Sequence, residues 1–466
     1  MASLVDSSIE TYVEKLGTFS HNLYKVSYGI ATDIGGSTTN QDRGIIWQRE
    51  DISIFGILDG HGSKYNCGEI AAETGKLTIT AFADENYLLL RSNPYQFITN
   101  LFNLIHSDIR QAFINQLGTH IIQHEDGYLL EGQLSITGGT TCSIVIIVDN
   151  KVYTANVGDS KALLCSTVPA LSKSMIEYLG DTAWGDNQKK TELYLADTDV
   201  TKFVELTVDQ SIEKFYERER LLAFRPDPHN PLVPEILLKY DLAKSGLKHS
   251  APNVYSISAD GTVKVTEKLK YYKNVNKDAA TVVITPISAR FQEGLAMTRS
   301  SGDFYLKTYG ITHLPEITCI NLDTLFENIQ QKTLIQMKQM EDEIEKIKNI
   351  TLETTTAVVV EDAVETVVET VVETVESLIQ KYTEFIEHSK VICINLCSDG
   401  VWDNWSDSNI QDFVLHKSCI NAILTDPLGG GQRVADDFIQ RNMVYSKRHF
   451  GNQADNAIGI PIFIFI

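Results

Sequence analysis

Between Pro94 and Leu117 the apolar residues Phe97, Leu101, Leu104, Ile105, Ile109 and Ala112 recur at i, i+3 and i+4 spacing. That spacing predicts a helix with a single apolar stripe. A second helical pattern runs from Gly68 to about Asp84, and a third covers residues 7–17. β-rich runs precede and follow this pair: Tyr24–Asp33, Gly44–Arg49, Ile52–Leu58, Gly138–Val148, Lys151–Val157 and Ser160–Cys165. The turns between them are short, at Asp149-Asn150 and Gly158-Asp159, which demands antiparallel pairing. Strands and helices arrive in blocks, so the expected class is α+β with antiparallel sheets.

The pattern is less regular in the middle of the chain. A helical run is expected near Ser211–Ala223, followed by a proline-rich turn (Pro226, Pro228, Pro231, Pro234) and a hairpin at Asp260-Gly261. Further on, a Met/Glu/Lys-rich helix spans about 323–348, and VETVVETVVETVE fills Val364–Glu376. On a helix the valines of that repeat form one stripe with the glutamates off it, whereas a strand would mix them. The two helices would form an αα-hairpin across the turn Thr351–Thr356.

Charge sharpens this picture. The 466 residues hold 61 acidic and 40 basic side chains, a net charge of −21. A polyanion would be repelled, and no basic run offsets the balance locally, so nucleic acid is not an expected partner. Seven cysteines without a C-x-x-C pair argue against a disulfide framework and a structural zinc. MASLVDSSIETYVEK lacks the basic and apolar regions of a signal peptide, and no apolar stretch reaches membrane-spanning length. The expectation is a soluble intracellular protein, cytoplasmic or nuclear. Residues 334–390 alone carry 13 acidic and 5 basic side chains, so this segment reads as a solvated appendage or as a protein-partner surface.

Candidate chemistry lies in four aspartates at turns beside β-rich runs: Asp42 in NQDR, Asp59 in FGILDGHG, Asp399 in CSDGVWD and Asp455 in QADNAIGI. Carboxylates and carbonyls at strand ends are the oxygen donors that Mg²⁺ and similar hard cations prefer. A single Asp-Gly is more often a plain turn.

The segments FGILDGHG, GGTTCSIVIIV, VYTANVGDSKALL, LAMTRSSGDFYLK, CSDGVWD and ADNAIGI follow one another in an order that resembles the metal-dependent Ser/Thr protein phosphatases, the protein phosphatase 2C family. A weaker likeness covers Leu206–Gln210 and Glu217–Arg220. The resemblance runs from about Ser27 to the C-terminus. It implies an antiparallel β-sandwich flanked by helices, with an added helical insertion, and hydrolysis of phosphoserine and phosphothreonine in phosphoprotein substrates. It also implies two Mg²⁺ or Mn²⁺ ions with a weaker third. In that reading Asp59 bridges the two metals, the Gly60 carbonyl completes one shell, Asp399 and Asp455 hold one ion, and Asp42 holds the other. Asp159 would serve the third ion and His61 would be the general acid, while Arg299 and Asp303 match positions that look structural. The implied organisation is an N-terminal helical extension at 1–23 and a catalytic domain at 24–466. That domain carries an enlarged flap insertion, 207–290, and a helical insertion, 323–390, which offers a surface for a protein partner.

Two departures stand out. Gln41-Asp42 replaces the Glu-Asp of many members, and Ser37 stands where they carry an arginine that grips phosphate. Arg43 or a residue of the middle segment is the candidate replacement, with Ser37, Thr38 and Thr39 as weaker donors. The alternative reading is a pseudophosphatase that binds partners through its insertions. The strands PEITCINL and VICINLCSD, which border the helical insertion, are expected to pair with each other.

Overall fold

The computed structural model describes residues 18–21, 24–62, 64–118, 120–181, 183, 199–224, 235–241, 248–266, 273–275, 277–357, 377 and 380–466, with backbone alone at 344 and 347–357. Fifteen strands and eight helices build the core architecture. The strands are β1 (Thr18–His21), β2 (Tyr24–Tyr28), β3 (Ala31–Asp33), β4 (Asp42–Arg49), β5 (Ile52–His61), β6 (Gly139–Thr140), β7 (Cys142–Val148), β8 (Lys151–Val157), β9 (Lys161–Ser166), β10 (Glu177–Asp181), β11 (Phe203–Glu205), β12 (Ser301–Gly302), β13 (Glu316–Asn321), β14 (Val391–Cys397) and β15 (Ala457–Phe465). The helices are α1 (Cys67–Ser92), α2 (Pro94–Leu117), α3 (Phe215–Ala223), α4 (Leu322–Ala357), α5 (Asp399–Trp402), α6 (Asp407–Val414), α7 (Lys417–Thr425) and α8 (Gly430–Phe450).

Two antiparallel sheets face each other. One runs β1-β2-β15-β14-β9-β11, with β3 also on β15; the other runs β10-β13-β8-β7-β5-β6-β12, with β4 also on β5. Period-2 alternation along the strands explains the layering. In β15, Ile458, Ile460, Ile462 and Ile464 point inward to meet Phe55, Ile57, Val145 and Ile147 of the opposite sheet. Phe463 and Phe465 point outward onto α8 with Val434 and Phe438. On the far side Ile54, Leu58, Ile144 and Ile146 pack under α1 and α2 through Phe97, Leu101 and Ile105. The helix read at Pro94–Leu117 is α2, capped by Asn93, whose side chain accepts from Gln96 N at 3.1 Å. This α-β-β-α stack is the expected fold class.

Several boundaries differ from expectation. Strand β1 pairs with β2, so the sheet begins at Thr18, inside the segment read as a helical extension at 1–23. Residues 7–17 and the repeat Val364–Glu376 lie outside the described residues. Helix α4 continues through Thr351–Thr356 to Ala357, so the chain does not turn there. Nor do β13 and β14 pair: they belong to opposite sheets, and the helical insertion connects one layer to the other. The first turns of α4 are core rather than appendage, since Leu322, Leu325, Phe326 and Ile329 are buried between the sheets. Tyr24 stacks on Phe326 with ring centroids 5.2 Å apart.

The middle segment forms a small module with its own core. A three-stranded sheet (Leu237–Tyr240, Thr281–Ile284, Gly294–Leu295) and a hairpin (Tyr255–Ile257, Val263–Val265) accompany α3. Ile212, Leu221, Tyr240, Val254, Val283 and Met297 fill it, so the unit extends past the expected boundary at residue 290. A buried ion network joins this module to the large sheet. Arg299 meets Asp181 at 2.5 Å and also binds Glu217, which in turn receives Arg220 at 2.8 Å.

Candidate metal centre

Strand register brings the first two aspartates together. Asp42 opens β4 and lies directly opposite Asp59 near the end of β5. Asp399 is the second residue after β14, Asp455 lies two residues before β15, and Asp159 sits in the turn between β8 and β9. All five therefore leave strands at the same edge of the sandwich. Ser398 ties the two sheets across this edge: its hydroxyl donates to Asp42 Oδ2 at 2.9 Å and accepts from Ile458 N at 3.1 Å. Asn456 performs a parallel task, accepting from Gln41 N at 2.8 Å and donating to the Ile34 carbonyl at 2.6 Å. Thr141 of GGTT holds Asp59 through both backbone groups, accepting from Asp59 N at 3.0 Å and donating its own N–H to Asp59 O at 2.9 Å.

Close backbone approach dictates two of the glycines. A Cβ on Gly60 would fall on the Gly68 carbonyl, and one on Gly400 would fall on the Asn456 carbonyl. The Asp-Gly pairs of DGHG and SDGVW are thus packing requirements.

Electrostatics mark this edge as costly. Burial, then Asp42, Asp399, Asp455 and Asp159, hold the Asp59 carboxyl well above the usual carboxylate range. Burial and Asp455 push Asp42 up to about 7 against opposing hydrogen bonds from Ser398 and Asp59. Asp399 is raised by burial and by Asp159, Asp455 and Asp403. Asp455 reaches solvent at the mouth of the site and is raised by partial desolvation. Buried oxygens of Asp42, Asp159 and Asp399 (Oδ1 of each) have no hydrogen-bond partner. Among the described residues no three acidic, histidine or cysteine side chains are already gathered at metal-ligand spacing. The donor set is oxygen-only, and its unpartnered carboxylate oxygens suit a hard divalent cation.

His61 meets Asp303, Nε2 to Oδ2, at 2.6 Å. Burial disfavours its charge, but contact and hydrogen bonding with Asp303, helped by Asp159, raise its pKa overall. The other ring nitrogen, Nδ1, is buried without a partner. Asp303 itself holds φ 43°, a left-handed conformation rare outside glycine, and its N–H donates to Gly138 O at 2.9 Å. Asp303 thus lies in direct contact with His61, whereas Arg299 is fully buried in its ion network.

Arg43 does not serve as a phosphate grip. Its guanidinium is committed to Glu73 at 2.6 Å, to Glu69 at 3.1 Å and to the carbonyls of Asn40 and Asp42. Ser37, Thr38 and Thr39 are exposed beside it. A cleft of about 460 Å³ opens on the other side of Asp159 and Asp399, and Asp209, Lys273 and Asp403 line it as well. These three were not singled out from the sequence. Asp403 could have been, because it lies one helical turn after Asp399 in SDGVWD; Lys273 carried no signal.

The described residues include no helix long and apolar enough to cross a membrane. Residues 37–175 match the model of the family described as Protein phosphatase 2C. A probable protein phosphatase 2C 71 of Arabidopsis thaliana is 32% identical over 149 residues, covering 30% of this chain and 27% of that protein. A probable protein phosphatase 2C 59 of Oryza sativa subsp. japonica is 30% identical over 166 residues, covering 34% of this chain and 42% of that one. The chain thus spans less than half the length of either relative. A solved serine-threonine phosphatase 2C from Toxoplasma gondii aligns with 97% of this chain and 98% of its own at 13% identity, with a TM-score of 0.49.

Proposed function

We propose that this chain, whose residues 37–175 match the protein phosphatase 2C family model, hydrolyses phosphoserine and phosphothreonine esters in proteins. The observation that supports this most is the register that sets Asp42 opposite Asp59 beside the Ser398 bridge. In this reading Asp42, Asp59, Asp399 and Asp455, with the Gly60 carbonyl, would hold two Mg²⁺ or Mn²⁺ ions, and Asp159 stands beside them. When bound, such ions acidify a water and neutralise charge on the phosphoryl oxygens.

The remaining work belongs to side chains of this chain. Asp303 accepts from His61 Nε2–H and favours the imidazolium, the protonated form that a general acid for the departing seryl or threonyl oxygen needs. Ser398 and Thr141 keep Asp42 and Asp59 in place. The test is a phosphopeptide and p-nitrophenyl phosphate assay at millimolar Mn²⁺ with an EDTA arm. Turnover lost in EDTA and in Asp59→Asn is expected, and absence of turnover at every metal concentration would refute the proposal. A second reading, a pseudophosphatase that acts as a binding module through its insertions, is favoured by the commitment of Arg43 to Glu69 and Glu73. Metal-dependent turnover of the phosphopeptide would remove it.

A further inference from the structure

Lys273 comes from the enlarged middle segment, yet its ammonium lies in the acidic cleft beside the candidate metal centre. Nζ is 3.1 Å from Asp209 Oδ2. The carboxylates acting on it are Asp209, Asp159, Asp403 and Asp399, in that order of strength. Residues 273–275 are held by hydrogen bonds. Lys273 N–H donates to Asp278 O at 2.9 Å, and Asn274 and Asp278 exchange two further bonds of 3.0 Å. Val275 N–H reaches Asp403 O at 3.2 Å, which pins the segment to the turn after α5. Asp159 is only 7% exposed, and its Oδ1 has no partner. The neighbouring Lys161 is occupied elsewhere, by Glu205 at 3.0 Å and Asp407 at 2.9 Å.

We propose that the Lys273 ammonium takes the place of a third divalent cation among Asp159, Asp209, Asp399 and Asp403, so that this chain holds two such cations rather than three. An ammonium supplies positive charge to these carboxylates without requiring a hydrated metal to shed water. A divalent ion arriving next to it would meet like-charge repulsion in a partly buried site. The inference rests on the two-cation reading above.

Mn²⁺ titration calorimetry on the full-length chain, with metal content measured after gel filtration, tests it on wild type, Lys273→Met and Lys273→Arg. Two Mn²⁺ per chain are expected on wild type and on Lys273→Arg, which keeps the charge; Lys273→Met should gain a third. Three on wild type, or two on folded Lys273→Met, overturns the role of the lysine while leaving the two-cation reading intact. A wild-type chain that binds fewer than two sinks both. Circular dichroism checks folding; should Lys273→Met not fold, Lys273→Gln takes its place under the same two outcomes.

Discussion

His61 Nε2 and Asp303 Oδ2 are 2.6 Å apart, although 242 positions separate them in the chain. A carboxylate on one ring nitrogen fixes the tautomer and steadies the protonated ring, as a proton donor to a poor leaving group requires. Asp303→Asn is the clean variant, since Asn tolerates a positive φ. It should lower kcat on a phosphopeptide by about tenfold to a hundredfold. The effect on p-nitrophenyl phosphate should be small, because nitrophenolate departs without a proton. His61→Gln should show the same split, and the double variant should be no worse than the poorer single one. Equal losses on both substrates would mean that the pair only supports the fold.

Asp59→Asn removes the carboxylate on which Asp42, Asp399, Asp455 and Asp159 all act. In EDTA its Tm should exceed that of wild type by a few degrees, because repulsion is relieved. In Mn²⁺ the order should reverse, since the variant has lost a ligand to the stabilising ion. Thermal melts in the two buffers check both signs.

Buried His106 and half-buried His313 stack with ring centroids 4.1 Å apart, near Lys307 and Arg110. Burial, then these cations, lower the His313 pKa to about 3, and burial, His313 and the same cations lower His106 further. Unfolded histidines take protons near pH 6.5, so in the window from about 3 to 6.5 the unfolded chain binds more. Stability from this pair is therefore full above pH 6.5 and is lost as pH falls. His313→Gln, which can still bond Asn103, should flatten the decline between pH 7 and 5 by on the order of 1 kcal/mol in urea melts.

Arg299 is fully buried against Asp181 and Glu217. Arg299→Met leaves two buried carboxylates short of a partner and should cost about 3–5 kcal/mol. Arg299→Lys should recover little, because one ammonium cannot reproduce the paired contacts to Asp181 and Glu217. Urea denaturation of the three proteins checks this.

Phe326 and Leu334 lie two turns apart on α4, with 6% and 50% of their surfaces exposed. Phe326→Ala should destabilise by about 3–5 kcal/mol and Leu334→Ala by less than about 0.5. Comparable costs would place the outer part of α4 in the core as well.

Local pattern was enough for much of the fold. Helix α2 was legible from its apolar stripe between Pro94 and Leu117, and β7, β8 and β9 from their β-rich runs and short turns. The candidate aspartates stood out through the order of the segments that carry them, two of them, Asp59 and Asp399, in an Asp-Gly after an apolar run. What failed were inferences about distance. Strands β13 and β14 looked like partners because both are apolar and flank one insertion, but hydrophobic pattern does not say which layer a strand joins. Arg43 looked free to grip phosphate because Glu69 and Glu73 are separated from it in sequence, and only α1 brings them alongside.

The sequence by itself therefore determined most element types, the antiparallel class, the acidic balance and the carboxylates whose chemistry suits a cation, since these depend on side-chain chemistry and spacing within one segment. Tertiary structure alone decided that Asp42 faces Asp59 across a strand pair, that Asp303 reaches His61, and that Lys273 enters the acidic cleft. The reason is physical. Register, layer choice and the docking of an insertion are settled by packing and charge between segments far apart in the chain, and no window along the sequence contains both partners.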